Sequence, residues 1–328
     1  MAVLVTGGAG YIGSHTALAL LDAGEEVVIL DDLSTGFRFM IPEQATFIEG
    51  DVGDAALVAS LIEKYRIEAV IHFAARIVVS ESVSLPLDYY HTNTAKSLSL
   101  IETVVAKGVR NFIFSSTAAV YGEPEVVPIV EDVTLAPINP YGRSKLMVEG
   151  MLQDAADAHG LNFIALRYFN VAGADPAGRS GETTLPATHL VKLAVRTALG
   201  KRPYLSVFGT DYPTPDGSCI RDYVHVSDLA DAHLVALAHL RKGGKSLKLN
   251  CGYGHGFSVL EVMNLVKDVS GIDFELRIEE RRPGDPAALV AKADCIRQEL
   301  GWQPKYDDLK AMVTHALAWE RSLTPRGL

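Results

Sequence analysis

Val3-Leu4-Val5-Thr6-Gly7-Gly8-Ala9-Gly10-Tyr11-Ile12-Gly13-Ser14-His15 opens the chain. A short apolar strand runs directly into Gly7, Gly10 and Gly13, and the stretch Tyr11 to Leu21 then carries helical periodicity. Strand, glycine turn and helix in this order form the first half of a strand–helix–strand unit in a parallel sheet. Gly7 suits the tight turn, Gly10 lets a pyrophosphate approach the backbone, and Gly13 lets helix and strand pack closely. The helix N-terminus at Tyr11 and Ile12 offers unpaired N–H groups and the positive end of its dipole to an anion.

A second strand, Glu26 to Leu30, ends in Asp31-Asp32. Asp31 lies 18 residues beyond Gly13, close to the roughly 20 expected for a carboxylate that holds an adenosine ribose 2′-hydroxyl. A carboxylate there repels a 2′-phosphate. The reading is therefore a dinucleotide site that prefers NAD to NADP.

Composition sets the limits. A chain of 328 residues allows one large domain, or a large and a small one. With 48% hydrophobic and 21% charged residues, it reads as an ordinary globular protein. No apolar run approaches the roughly 18 residues of a membrane helix, and the first strand begins at Ala2, with no room for a signal peptide. Cys219, Cys251 and Cys295 are too few and too scattered for a disulfide framework or a zinc knuckle. The expected compartment is the cytoplasm. A formal charge of −10 argues against nucleic acid as a partner. The histidines form no metal-ligand cluster, and His15, His72 and His225 are read as packing or backbone-bonding residues.

Strand and helix patterns alternate through the first half. Strands are expected at 46–48, 69–73, 111–115 and 163–166, and helices at 54–65, 88–107 and 141–158. After Asn170 the pattern loosens, with helices expected near 189–199, 228–240, 259–269 and 309–320. The fold class is α/β: a Rossmann, doubly wound parallel sheet with a smaller C-terminal α/β substrate domain. The expected division is 1–170 for the NAD-binding domain, with Val224–Leu240 returning to it, and 171–328 for the substrate domain.

The strand at 111–115 ends in Ser115-Ser116-Thr117, and ligands of such sheets lie outside the carboxyl ends of strands. Further on, Pro140-Tyr141-Gly142-Arg143-Ser144-Lys145 sets a tyrosine and a lysine on one face of a helix. A free phenol has a pKa near ~10 and is a poor base at neutral pH. A nearby ammonium and an oxidised nicotinamide both favour the phenolate. Such a phenolate can take a hydroxyl proton while a hydride leaves the same carbon, and the Thr117 hydroxyl can bond the same oxygen. Tyr121 has no lysine four residues on and is read as structural or substrate-lining.

These motifs resemble the extended branch of the short-chain dehydrogenase/reductase superfamily and, within it, the nucleotide-sugar 4-epimerases. The resemblance continues through Arg167-Tyr168-Phe169-Asn170, Phe208-Gly209-Thr210-Asp211-Tyr212-Pro213-Thr214, Arg221-Asp222-Tyr223-Val224-His225-Val226 and Arg281-Arg282-Pro283-Gly284-Asp285. It implies an enzyme that inverts C4 of a UDP-hexose, interconverting UDP-glucose and UDP-galactose through a transient 4-keto sugar on tightly held NAD. Tyr141, Lys145 and Thr117 take the catalytic positions. Asp51 and Val52 match positions beside the adenine, while Phe73, Ala74 and Ala75 match a loop beside the cofactor phosphates. Lys145 also matches the nicotinamide-ribose contact, and Tyr141 and Phe169 fall at cofactor positions as well. Asn170, Phe208, Arg221, Arg282 and Asp285, with Thr117 and Tyr141, take the UDP-sugar positions. Guanidinium groups suit the oxygens of a diphosphate. The resemblance further implies a homodimer through helices at 88–107 and 145–158.

This chain departs from the family pattern at several places. Ile77 replaces a lysine usual at the cofactor phosphates, with Arg76 adjacent as a substitute cation. Thr92 replaces an asparagine, with Asn93 next to it, and His189 stands at an asparagine position whose role falls to the backbone. Leu289, four residues after Asp285, takes a position where tyrosine goes with a hexose-only pocket and a small residue with N-acetyl sugars. UDP-N-acetylhexosamines and UDP-pentoses are therefore alternative substrates. A nucleotide-sugar 4,6-dehydratase would need an acid–base pair directly after Thr117, where Ala118-Ala119 stand. A non-catalytic NAD or nucleotide-sugar sensor would have no use for Tyr141 and Lys145.

Overall fold

The computed structural model describes residues 1–184, 186–282 and 285–323. Its main sheet has seven strands. They include β1 (Ala2–Thr6), β2 (Glu26–Asp31), β3 (Thr46–Glu49), β4 (Ile67–His72), β5 (Asn111–Thr117) and β6 (Asn162–Tyr168). Every neighbouring pair is parallel. Across the sheet the order is Leu247–Cys251, β6, β5, β4, β1, β2, β3. The chain winds outward one way from β1 and then the other way from β4. The crevice at the carboxyl ends of β1 and β4 is thus the place where such a sheet takes its ligand.

Both faces of the sheet are covered, as its near-continuous apolar strands require. Val3, Val5, Ile113, Ile164 and Leu166 point into one buried cluster. Ala2, Leu4, Phe112, Phe114, Phe163 and Ala165 point into the other. This is the period-two alternation of a strand applied to a two-sided core. Helix α1 (Tyr11–Asp22) packs against the Val226–Arg241 helix on the first side. The edge strand Leu247–Cys251 also comes from the second half of the chain, beyond the Val224–Leu240 return expected from sequence.

The rest of the second half builds three small sheets. Leu205–Phe208 pairs with Leu276–Glu279, Asn170–Ala172 with Tyr223–His225, and Ile220–Arg221 lies between Phe257–Ser258 and Ala288–Leu289. The helix Val259–Ser270 begins with a full capping box, Ser258 to Glu261. The helix Leu309–Leu323 is held to Leu190–Ala198 by the buried Glu320 carboxylate, which meets Lys192 at 2.5 Å, Lys201 at 2.8 Å and Arg196 at 3.5 Å.

One element differs from expectation. Residues 88–107 do not form a single α-helix: Pro86–Tyr89 leads into a π-helical segment, Tyr90–Ala95, and only Lys96–Ala106 is regular α-helix. The wider turn carries Asn93, which is buried. Asn93 Oδ1 accepts from the Arg76 amide at 2.8 Å, and Nδ2 donates to the Arg76 carbonyl at 2.9 Å and to Ser144 Oγ at 3.1 Å. The irregular turn thus ties the segment after β4 to the helix that carries Tyr141, as such segments often do near functional sites.

Candidate active site

The glycine turn is built around close approach. Gly7 has φ +72°, and a Cβ there would lie 2.6 Å from the Ala74 amide nitrogen. A Cβ on Gly13 would lie 2.2 Å from the Gly7 carbonyl oxygen. At Gly10, by contrast, the nearest atom is the Gly7 oxygen at 3.3 Å, so this glycine faces more open space. Gly10 is also the N-cap of α1, with neither a capping side chain nor an acid in the first turn to occupy the amides. Phe73, Ala74 and Ala75 follow β4, with the Phe73 amide bonded to the Thr6 carbonyl at 3.0 Å.

The Asp31 carboxylate is mostly buried at the end of β2, accepting from the Ala9 and Leu33 amides, each at 2.9 Å. Burial raises its pKa, against those two hydrogen bonds. Asp51 accepts from Lys96 Nζ at 2.5 Å and from the Gly53 amide at 2.8 Å, with Val52 buried beside it. Tyr11 Oη donates to the Gly173 carbonyl at 2.7 Å, tying the start of α1 to the second half of the chain. A glycine turn that a Cβ would fill, helix amides with no capping side chain and a carboxylate at the end of β2 together fit a nicotinamide dinucleotide.

Beside this crevice β5 ends at Thr117 and the helix Pro140–His159 begins. The helix is started by Pro140 at its first position and by Asn139, whose Oδ1 accepts from the Gly142 amide at 2.8 Å. Tyr141 and Lys145 lie on one face of the helix, as expected. Lys145 Nζ donates to the Ser115 carbonyl at 2.9 Å and sits 4.9 Å above the Phe114 ring. Burial lowers its pKa to about 7. Burial raises the Tyr141 pKa, and a hydrogen bond from the Thr117 hydroxyl works the other way. The Tyr141 ring meets the Tyr89 ring edge-on at 6.5 Å.

The second half supplies the remaining residues. Arg221 pairs with Asp285, and the Arg282 guanidinium lies 3.7 Å from the centre of the Phe208 ring. Asn170 is the strand partner of Tyr223, two residues from Arg221. Phe169 is buried beside them. Pro283 and Gly284, between Arg282 and Asp285, lie outside the described residues. Arg76, the substitute cation, is engaged elsewhere: it pairs with Glu81 at 3.3 Å and Asp88 at 3.5 Å and lies over Tyr89 at 5.7 Å.

One feature escaped the sequence reading. The buried Asp222 carboxylate accepts from the Tyr253, Gly254 and Ala291 amides at 2.9, 3.1 and 3.1 Å, fixing the loop that follows Arg221. Only its place beside Arg221 in the Arg-Asp-Tyr motif hinted at this. Tyr121 is structural: it is buried, and its Oη donates to Asn250 Oδ1 at 2.6 Å. His15 bonds the Tyr11 carbonyl at 2.8 Å, and His72 lies between Thr6 Oγ1 at 2.7 Å and Ser97 Oγ at 2.8 Å. His225 Nδ1 accepts from the Ser227 amide at 3.0 Å.

Known proteins share this arrangement along nearly the whole chain. The pattern of the NAD dependent epimerase/dehydratase family matches residues 3–252. UDP-glucose 4-epimerase of Azospirillum brasilense is 60% identical over 98% of this chain and 92% of its own. The crystal structure of UDP-glucose 4-epimerase from Brucella ovis in complex with NAD superposes with a TM-score of 0.94 at 45% identity, covering 96% of this chain and 97% of that one. The UDP-Glc/GlcNAc 4-epimerase of Campylobacter jejuni gives a TM-score of 0.86 at 48% identity, with coverage of 98% and 99%. With a parallel sheet and a likeness to these relatives that runs along nearly its whole length, the chain belongs to the NAD dependent epimerase/dehydratase family, among its UDP-glucose 4-epimerases.

Proposed function

We propose that this chain inverts C4 of UDP-hexoses, interconverting UDP-glucose and UDP-galactose, with Tyr141 as the proton-transfer residue. The observation that carries the assignment to Tyr141 is its place at the start of the Pro140–His159 helix, one turn before Lys145, whose Nζ bonds the Ser115 carbonyl two residues from Thr117 at the end of β5. Gly7, Gly10, Tyr11, Ile12 and Gly13 would hold the pyrophosphate of NAD, Asp31 the adenosine ribose, Asp51 and Val52 the adenine side, and Lys145 the nicotinamide ribose. When bound, NAD supplies the acceptor for the C4 hydride, a positive charge beside the phenol in its oxidised form, and the hydride that returns to the opposite face of the 4-keto sugar.

The chain does the rest. Tyr141 Oη takes the proton from the sugar 4-oxygen and gives it back, while the Thr117 hydroxyl bonds the same oxygen in both states. Arg221 and Arg282 anchor the diphosphate, Phe208 lies against the uracil, and Asn170 and Asp285 complete the grip. An anchored diphosphate leaves the sugar free to turn about its bond to it, which is what inversion requires. Proton removal and return cancel, so no proton path to solvent is needed.

Incubating purified protein with UDP-galactose tests the reading, with Tyr141→Phe as control. The expected result is UDP-glucose formation by the parent and a loss of roughly 10²- to 10⁴-fold in kcat for the variant. Tyr141→Phe turning over at the parental rate would remove Tyr141 from the mechanism. Bound NAD with no turnover in the parent would favour a sensor.

A wider substrate range is supported by one observation. Leu289, partner of Arg221 in the parallel pair, is a half-buried side chain smaller than tyrosine, so N-acetylhexosamine nucleotides are reasonable second substrates. We also propose a homodimer, supported by exposed Val83, Leu87, Leu98 and Met147 on the helices after β4 and on the Tyr141 helix. Residues 1–170 with the 224–240 return serve NAD in this reading, and 171–328 the UDP-sugar. Among the described residues no helix is long and apolar enough to cross a membrane. The cytoplasm is the compartment we propose.

A further inference from the structure

We infer that Glu149, held by Arg167 and reaching Ser116, is a positioning residue that sets the Tyr141 phenol against the Thr117 hydroxyl. The inference rests on the proton-transfer role proposed for Tyr141. Glu149 follows Lys145 by one turn and Tyr141 by two on the same face of the helix. Its side chain and that of Arg167 are each 2% exposed. Arg167 Nε donates to Glu149 Oε1 at 3.0 Å and Nη2 to Oε2 at 2.7 Å, a two-pronged pair. Ser116 Oγ donates to the same Oε1 at 2.5 Å.

Ser116 immediately precedes Thr117 and is the strand partner of Arg167 across β5 and β6. One carboxylate therefore fixes the helix that carries Tyr141 to the strand end that carries Thr117. The far side of the guanidinium is anchored as well. Arg167 Nη1 donates to Tyr121 Oη at 2.9 Å and to the Glu131 carbonyl at 3.0 Å, and Asn250 Nδ2 donates to the Ile129 carbonyl at 2.8 Å. The network thus reaches the Leu247–Cys251 edge strand and the loop after β5.

Apolar contacts between helix and sheet are non-directional and tolerate small slides. Directional bonds to a single carboxylate do not. A buried ion pair adds little net stability compared with apolar residues of the same volume, so its use here is better accounted for by the register it imposes. The placing of the Thr117 hydroxyl, at the end of β5, against the phenol at the start of the Pro140–His159 helix depends on that register. The charged and titratable groups around the phenol are Lys145 on its own helix, Tyr168 on β6 and Tyr89 on the Pro86–Tyr89 helix.

The variant least disturbing to the fold is Ser116→Ala, which removes one hydroxyl. Phenolate formation at Tyr141 is followed by ultraviolet difference absorbance in the NAD-loaded protein, with Tyr141→Phe as the blank. In Ser116→Ala the titration should move upward by about one pH unit, a tenfold loss of phenolate at fixed pH. kcat for UDP-galactose should fall in parallel while KM and melting temperature stay at parental values. Ser116→Thr should restore both, and Glu149→Asp, which keeps the charge but shortens the arm, should reproduce the loss. Parental titration and kcat in Ser116→Ala, or losses confined to KM or melting temperature, would overturn the inference. Because the titration is read without turnover, a parent that converts no UDP-sugar would overturn the functional reading while still deciding this one.

Discussion

Leu289 stands directly opposite Arg221 in the parallel pair Ala288–Leu289 with Ile220–Arg221. The Asp222 amide, next in line, donates to the Leu289 carbonyl at 3.0 Å. The backbone at Leu289 is thus fixed relative to the guanidinium proposed to hold the diphosphate, and in the proposed site side-chain volume there is volume taken from the sugar. Leu289→Tyr should lower turnover of UDP-N-acetylglucosamine by roughly 10- to 200-fold, the range one pocket contact supplies. UDP-glucose turnover should stay within a few-fold of the parent. Parallel assays on the two substrates check this, and equal losses on both would show that Leu289 does not set the size limit.

The glycine cradle makes a sharper prediction. A methyl on Gly13 would sit 2.2 Å from the Gly7 carbonyl oxygen, a backbone atom that cannot swing away. Gly13→Ala must therefore push α1 off β1 or distort the turn at Gly7. Purified Gly13→Ala should carry little or no NAD and melt below the parent by roughly 1–3 kcal/mol of lost stability, the usual cost of overpacking. Cofactor content after acid release, read against protein concentration, measures the first effect. Full NAD occupancy would mean that the helix yields without loss of the site.

Much of this architecture was legible in the sequence because it is local. Gly7, Gly13 and Asp31 are read from spacing along one strand–helix–strand unit, and Tyr141 and Lys145 from a single helical turn. What remained hidden depends on contacts between distant segments. Asn93 turns inward only because the 90–95 segment widens into a π-helix, which clamps the Arg76 backbone and has no periodicity of its own to read. Lys145 was expected to support the Tyr141 phenolate through its charge. In the folded chain its ammonium also bonds the Ser115 carbonyl, a contact between distant segments that spacing along the helix does not show. The Glu149–Arg167 pair joins residues 18 apart through a strand neighbour, so neither residue stands out in sequence.

Four buried histidines give the fold a dependence on pH. Burial lowers the pKa of His15 and His233 to about 4 and of His72 and His225 to about 3. In the unfolded chain each titrates near ~6.5. Between those values the unfolded state binds more protons, so stability is full above about pH 6.5 and falls as pH drops toward the folded values. Each histidine contributes a slope of up to about 1.4 kcal/mol per pH unit, and together they could remove most of a typical domain's stability before pH 4. Thermal melts from about pH 7.5 down to about pH 5 should show a progressive loss that His15→Gln makes shallower. A flat profile over that range would mean that these histidines are hydrated in solution.

The Tyr141 helix and its neighbour also carry the proposed dimer surface. Thr94 Oγ1 donates to the Ser144 carbonyl at 3.4 Å, which brings the two helices side by side. Leu98 lies one turn beyond Thr94 and Met147 about one turn beyond Ser144, and they are 42% and 47% exposed. Both are exposed apolar side chains on neighbouring helices, and a two-fold partner could bury them against its own copies. Placing charge there should split such a dimer because like carboxylates would face each other across the axis. Leu98→Glu/Met147→Glu should sediment as a monomer at micromolar concentration while the parent sediments as a dimer. A parent that is already monomeric, or a double variant that stays dimeric, would move the interface elsewhere. Because Met147 lies between Lys145 and Glu149 on this helix, the split protein should also lose kcat if the partner's packing helps hold Tyr141 in register. Unchanged kcat in the monomer would show that each chain holds its own phenol unaided.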